Sequence, residues 1–218
     1  TLMRSSAASD VYKRQDIVHG NQCYQDFNDI RSQFYTSSEW ASGYPAATGI
    51  GTQHGGILVD FNAVKGGIEI IPLDNDWQRA AHVYSDEVLI SHRTDAEKGT
   101  PKFERGKSLS DHQREMIYIS GTAAIRGEES IVTGDVLVQT EITLENIQHL
   151  IGLEEGREKL PEHSGKLELL RVYLKHEEDA KIVKEDMDKL CPDVPIVYLY
   201  ADVCREELLV EIEGIAYL

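Results

Sequence analysis

The chain has 218 residues, 41% hydrophobic and 28% charged, with 22 Lys and Arg against 38 Asp and Glu, a formal net charge of −16. A chain of that length buries roughly 70% of its unfolded surface, so a real core is expected in one large or two small domains without a disulfide or metal staple. Its apolar stretches, such as Ile212–Leu218 broken by Glu213 and Gly214, fall far below the ~18–20 residues that span a bilayer. Without a Lys/Arg run there is no concentrated basic surface to displace counterions, which argues against a nucleic-acid groove. A local basic pocket for a small anion remains compatible with an acidic shell.

The three cysteines, Cys23, Cys191 and Cys204, are odd in number, widely spaced and form no C-x-x-C. That usage suits a reducing, cytoplasmic setting. Residues 1–15, TLMRSSAASDVYKRQ, begin without Met and lack the apolar region of a signal peptide. They read as a disordered, adapter-derived translation of assembled metagenomic reads, with the natural protein starting upstream of Asp16.

From Asp16 to about Trp40, Cys23, Phe27, Ile30 and Phe34 recur at helical spacing, which predicts a helix with an apolar face. A run of glycines from Gly43 to Gly56 ends it. Ile57–Phe61 and Ile68–Ile71 flank Lys65-Gly66-Gly67 and predict a hairpin. Residues 85–115 are polar and charged and give the best boundary signal of the chain. The expected division is therefore a tail over 1–15, an upstream module over 16–108 and a second unit over 109–218.

Beyond the boundary, Met116–Ile119 reads as a strand entering Ser120-Gly121-Thr122. Asp135 can cap a helix carrying Leu137, Thr140, Leu144, Ile147 and Ile151, stopped by Gly152. Leu167–Leu174 is a strand, and Ala180, Val183, Met187 and Leu190 mark a second helix that Pro192 stops. Ile196–Tyr200 and Leu208–Tyr217 close the chain as strands. The order β–α–β–α–β–β is that of an α+β unit with a mixed sheet and two helices packed on one face.

Several motifs carry no chemistry on inspection. Gly49-Ile-Gly51-Thr-Gln-His54-Gly55-Gly56 fails as a dinucleotide loop, because His54 stands where the third glycine belongs and a strand, not a helix, follows. The eight histidines form no H-E-x-x-H and no ligand-spaced pair, so no metal is expected. A nucleophilic Cys204 would want a His base, and the sequence alone supplies no such partner, so Cys204 reads as a small semi-buried residue rather than a nucleophile, one that can still line a pocket without reacting.

Two positions are more informative. In the last strand Leu208, Val210, Ile212 and Ala216 share one face, and Glu211 and Glu213 share the other with Leu209, Ile215 and Tyr217. A carboxylate between apolar neighbours is either a surface ion-pair member or a buried acid whose raised pKa lets it hold a proton near neutrality. Arg171, inside the apolar strand Leu169–Tyr173, must pair with an acid or bind an anion. Together Arg171 and Glu211 would make a site for an anionic substrate undergoing acid–base chemistry.

Five motifs in order now resemble the Rid/YjgF superfamily: Ile119-Ser-Gly-Thr-Ala123; Gly134-Asp135; Gln139-Thr140 with Leu144-Glu-Asn-Ile147; Arg171-Val-Tyr-Leu174; and Val210-Glu-Ile-Glu-Gly214. The resemblance implies a chorismate-mutase-like fold, a homotrimer or pseudo-trimer with sites in its clefts, and no cofactor. Upstream, Tyr44-Pro-Ala-Ala-Thr-Gly-Ile-Gly-Thr52, Pro72-Leu73, Tyr84-Ser85 and Pro101-Lys-Phe-Glu-Arg105 resemble the N-terminal module of chorismatases, here partial.

On that resemblance Glu211 is the acid/base glutamate. Gly121 and Cys204 match pocket positions that vary with product type and resemble the 3-hydroxybenzoate-forming branch. Arg105 and Arg171 would hold carboxylates, and Tyr84 would orient the ring of a small anionic metabolite, with chorismate the best guess. Glu211 would protonate the enol ether, and pyruvate would leave. Two other readings are a Rid-type enamine/imine deaminase and a non-catalytic ligand-binding trimer. Ile196 stands where imine deaminases carry a carboxylate-holding arginine, and the stretch between Tyr84 and Phe103 is longer than the chorismatase pattern.

Overall fold

A computed structural model describes residues 7–10, 17–18, 21–36, 40, 42–51, 58–89, 98–111, 113–152 and 166–218. In chain order its strands and helices are β1 (Ala7–Asp10), β2 (Ile17–Val18), β3 (Asn21–Gln22), α1 (Cys23–Thr36), β4 (Gly49–Gly51), β5 (Leu58–Asp60) and β6 (Glu69–Leu73). There follow β7 (Gly106–Ser110), β8 (Glu115–Thr122), β9 (Ile125–Arg126), β10 (Glu129–Ser130), α2 (Val136–Ile151), β11 (Lys166–Leu174), α3 (Ala180–Leu190), β12 (Ile196–Tyr200) and β13 (Val210–Tyr217). Among the described residues no helix is long and apolar enough to cross a membrane.

Six strands form the main sheet in the order β12-β11-β13-β8-β7-β6. β11 runs parallel to β12 and antiparallel to β13, which is antiparallel to β8. The chain leaves β8 through α2 and returns as β11 with β13 between them, a split β–α–β unit. α2 and α3 cover one face. Leu170, Val172 and Leu174 of β11, and Val210, Ile212 and Ala216 of β13, meet Leu144, Ile147, Val183 and Met187 from the helices. Strand alternation therefore sends Glu211 and Glu213 to the opposite face, as the pattern of the last strand predicts.

The ends of α2 are set by its own sequence. Asp135 accepts the backbone N–H groups of Leu137 and Val138 at 2.9 and 3.4 Å, and Gly152 takes the left-handed conformation at φ 77°. Asp135→Ala is expected to cost about 1 kcal/mol, or ~2–4 °C in a melting experiment on a domain of this size.

Four expectations differ from the structure. β5 and β6 do not form a hairpin: β5 pairs with β1, whereas β6 pairs with β7 and so extends the main sheet. The ladder to Gly106–Ser110 gives β6 five paired positions that a local turn cannot match. The expected boundary between 108 and 109 falls inside β7, which joins upstream and downstream residues in one sheet. Within the segment expected to be disordered, Ala7–Asp10 forms a strand between β4 and β5; the rest of 1–15 lies outside the described residues.

The fourth difference concerns α1. Ile30 and Phe34 of its expected apolar stripe are 68% and 50% exposed, while Gln25 and Asn28 are buried. The helix is held instead by a polar stripe: Gln25 Nε2 donates to Gly99 O at 2.8 Å, Ser32 Oγ donates to Thr100 O at 3.2 Å, and Asp29 Oδ1 accepts Gly99 N–H at 2.7 Å.

Candidate active site

The segment from Pro45 to Gly51 forms a wall over the helix-free face of the sheet. Glu104 N–H donates to Pro45 O at 3.0 Å; Ser120 Oγ donates to Glu104 O at 2.6 Å and accepts Ala47 N–H at 3.0 Å. Further along, Thr48 Oγ1 accepts Gly121 N–H at 2.9 Å, and Gly51 and Asp202 exchange backbone bonds at 2.8 and 3.0 Å. The wall is thereby tied to the end of β8 and to the loop before β13.

Behind it lies a pocket whose lining includes Tyr84, Arg105, Gly121, Cys204 and Glu211. Five of the six expected site residues thus converge, although they come from four separate stretches of chain. Glu211 is buried on β13. A Cβ at Gly121 would overlap Glu211 Oε1 and stand 2.8 Å from Thr48 Cγ2, so a glycine is what lets the carboxylate lie against β8.

Apart from this acid the charged lining is basic: among the described residues three arginines, Arg31, Arg105 and Arg205, line the pocket with one carboxylate, Glu211. Arg105 is 4% exposed, donates to Tyr84 Oη at 2.5 Å and to Arg79 O at 2.7 Å, and faces the Tyr84 and Phe103 rings at 5.6 Å. Arg205, also buried, lies 5.6 Å from the Tyr84 ring and donates to Glu128 O and Ser130 Oγ at 2.8 and 2.9 Å. Among the described residues neither guanidinium has a carboxylate partner. A buried cation without a counter-ion is costly, and an anionic ligand removes that cost.

The turn between β9 and β10 locks this cationic end. Glu128 accepts Ser85 N–H and Oγ–H at 2.8 and 2.6 Å and pairs with Arg79 at 3.1 Å. Those bonds, Ser85 first and then Arg79, hold its carboxyl below the usual range, so it stays ionised and fixes the backbone beside Tyr84.

No protein-family model matches the chain. A 3-hydroxybenzoate synthase from Streptomyces hygroscopicus is 31% identical over 215 residues, covering 92% of this chain and 59% of that protein. A chorismatase from Streptomyces rapamycinicus is 35% identical over 179 residues, 78% of this chain and 50% of that protein. A chorismatase crystal structure superposes with a TM-score of 0.82 at 29% identity, over 98% of this chain and 63% of the other. The chain belongs to the chorismatase family. It spans between half and three-fifths of the length of these two curated relatives.

In this chorismatase-like chain Arg171 does not join the pocket. It lies in a neighbouring cavity with Glu213, to which its Nη1 donates at 2.6 Å. Register decides this: Arg171 stands opposite Glu213 across the β11–β13 ladder, and Tyr173 stands opposite Glu211. Tyr173 Oη also donates to Glu213, at 2.6 Å. Burial, and next the Glu213 charge, push the Tyr173 phenol far above its ordinary range, so it remains a donor. Arg171→Gln should leave KM for a carboxylated substrate within about twofold and cost no more than ~1 kcal/mol in a denaturant titration, because the guanidinium is 44% exposed.

Sequence reasoning missed Arg205, Thr48 and the α1 residues Gln25 and Asn28, all of which line the pocket. Arg205 was detectable as the neighbour of Cys204. The α1 pair was detectable as polar residues three apart on the side away from Ile30 and Phe34. Ile196, at the deaminase arginine position, packs against the helix-side core.

Proposed function

We propose that the pocket binds chorismate, or a closely related carboxylated enol ether, and cleaves it with release of pyruvate. The reading is carried by the pairing of one buried carboxylic acid, Glu211, with two buried guanidiniums, Arg105 and Arg205, that have no carboxylate of their own among the described residues. The curated names of the relatives, chorismatase and 3-hydroxybenzoate synthase, support it.

Glu211 gives its proton to the methylene carbon of the enol ether, which turns the adjacent carbon into an oxocarbenium ion. A water molecule, or a hydroxyl of the substrate itself, adds to that carbon and returns a proton to Glu211. After water adds, the bond from that carbon to the ring oxygen breaks, its electron pair and the proton of the new hydroxyl go to the ring oxygen, and pyruvate departs. After a ring hydroxyl adds, the cyclic ketal first opens at that hydroxyl's own ring carbon, and the neighbouring ring carbon gives its proton to the departing oxygen as the ring becomes aromatic; the hemiketal left on the other oxygen then releases pyruvate. Arg105 and Arg205 hold the carboxylates through these steps, and Tyr84, bonded to Arg105 and stacked near Arg205, orients the ring. Gly121 and Cys204 shape the space beside the acid and so bear on which nucleophile reaches the oxocarbenium.

Imine hydrolysis gains no support from Ile196, and a non-catalytic trimer predicts an exposed Glu211 where the side chain is buried. The homotrimer or pseudo-trimer that the resemblance implies remains part of this proposal; exposed Ile30, Val59 and Phe61 offer apolar surface for association. The test is incubation of the chain with chorismate and, separately, with an amino-acid-derived imine. Pyruvate from the first and no ammonia from the second is expected; ammonia without pyruvate overturns the assignment.

A further inference from the structure

Two buried amides of α1 line the pocket, and they differ in one respect. Gln25 uses both Nε2 hydrogens, on Asp29 Oδ1 and Gly99 O, each at 2.8 Å. Asn28 is 1% exposed, and its Oδ1 accepts from Arg31 Nη2 at 2.9 Å. Its Nδ2 is equally buried and has no hydrogen-bond partner among the described residues. Arg31 also fixes which end of the amide is which, because a flipped Asn28 would set its NH₂ against the guanidinium donors.

A second orphan donor lines the same pocket, Arg105 Nε. Buried donors are almost always satisfied in folded proteins. Two unmet donors in the lining of one pocket point to acceptors that arrive with the ligand.

We propose that Asn28 is a substrate-recognition residue whose Nδ2 donates to an oxygen, hydroxyl or carboxylate, of a small carboxylated ligand held at its other end by Arg105. The inference rests on the pocket reading above and deepens it: the upstream helix supplies specificity while the downstream sheet supplies the acid. A site built to bond a substrate oxygen rejects an analogue that lacks it, since its own donor is then left unmet.

The experiment compares wild type with Asn28→Asp and Asn28→Ala. Asn28→Asp keeps the shape and the acceptor for Arg31, but replaces the donor with a charge that repels an anion. Binding of 3-hydroxybenzoate is measured by titration calorimetry, pyruvate release from chorismate by steady-state kinetics, and the melting temperature without ligand. In both variants Kd and KM should rise about tenfold or more, with kcat and the Asn28→Asp melting temperature close to wild type. Variants that melt lower yet keep wild-type Kd and KM overturn the proposal, as does a wild type that binds neither compound. Asn28-dependent binding of 3-hydroxybenzoate without any pyruvate release sinks the enol-ether reading alone.

Discussion

Glu211→Gln is expected to lower pyruvate release from chorismate by about 10³-fold while leaving the melting temperature near that of wild type. Glutamine keeps the volume of the side chain and its place on β13, but it cannot hand a proton to carbon, and general acid catalysis by a positioned group contributes roughly 10²–10⁴-fold. Glu213→Gln is the informative partner. The two carboxylates are two residues apart on one strand and face the same side of the sheet, yet Glu213 is bonded by Arg171 and Tyr173 at 2.6 Å each. Loss of its charge should appear as modestly reduced stability, because the Arg171 guanidinium loses its counter-charge and Tyr173 donates to a weaker, neutral amide oxygen, with KM little changed. Equal loss of kcat in the two variants would contradict the assignment of the acid to Glu211. Retention of more than a tenth of wild-type kcat in Glu211→Gln would contradict it outright.

Gly121→Ala is the second large effect. Its new methyl group would collide with Glu211 Oε1, lie 3.1 Å from Glu211 Cδ and stand 2.8 Å from Thr48 Cγ2. Thr48 is β-branched and tied to Gly121 N–H, so it yields little; the carboxylate is the far end of a longer side chain with more rotatable bonds and yields first. The acid is therefore displaced rather than the fold undone. A shift of about 1 Å in a reacting group can cost about 10²-fold, and kcat for pyruvate release should fall on that order. Stability should fall by only ~1–3 kcal/mol, the usual cost of an added methyl group in a packed site. Because Gly121 borders the space beside the acid, the ratio of hydrolysed to 3-hydroxybenzoate-type product should change as well, which chromatography of the reaction mixture would reveal. A variant with unchanged kcat and product ratio would show that Glu211 does not work from the position beside β8.

Cationic pocket residues behave differently from both. Arg105 and Arg205 share the ring of Tyr84, each 5.6 Å from its centre. Their guanidiniums are positioned by carbonyl and hydroxyl oxygens, so among the described residues they are oriented without being neutralised. That arrangement makes the pocket a cationic exception in a chain with a net charge of −16, which suits the carboxylated ligand proposed for it. Its acidic residues are spread over the rest of the chain, whereas the pocket lining carries three arginines and one glutamate.

The downstream half was legible because its signals are local. Helix α2 announces itself by a capping Asp135, a repeating apolar face and Gly152, and each of these works through contacts within a few residues. Strand β13 announces which face is core through simple alternation, and Val210, Ile212 and Ala216 are indeed fully buried. The upstream half was less legible because its partners are distant. Apolar Ile30 and Phe34 suggested the buried side of α1, but the elements that pack on this helix offer carbonyl and amide groups near Gly99 and Thr100, so its polar side went inward. Leu58–Asp60 and Glu69–Leu73 look like two arms of a hairpin until β7 is seen to take the second of them.

By itself, then, the sequence determined the α+β order, the two helices on one sheet face, the turn residues and five members of the pocket, because local spacing and a family pattern both reach that far. The tertiary structure decided what each charged group is for. Arg171 and Glu211 are equally plausible partners when written as letters; strand register sets Arg171 opposite Glu213 and leaves Glu211 beside Gly121. Arg205 and Asn28, 177 residues apart in the numbering, become lining residues of one pocket only through the sheet and the wall of residues 45–51. Pairing and burial are properties of distance in space, and the cost of a buried charge or an unmet donor cannot be assigned until the neighbours are known.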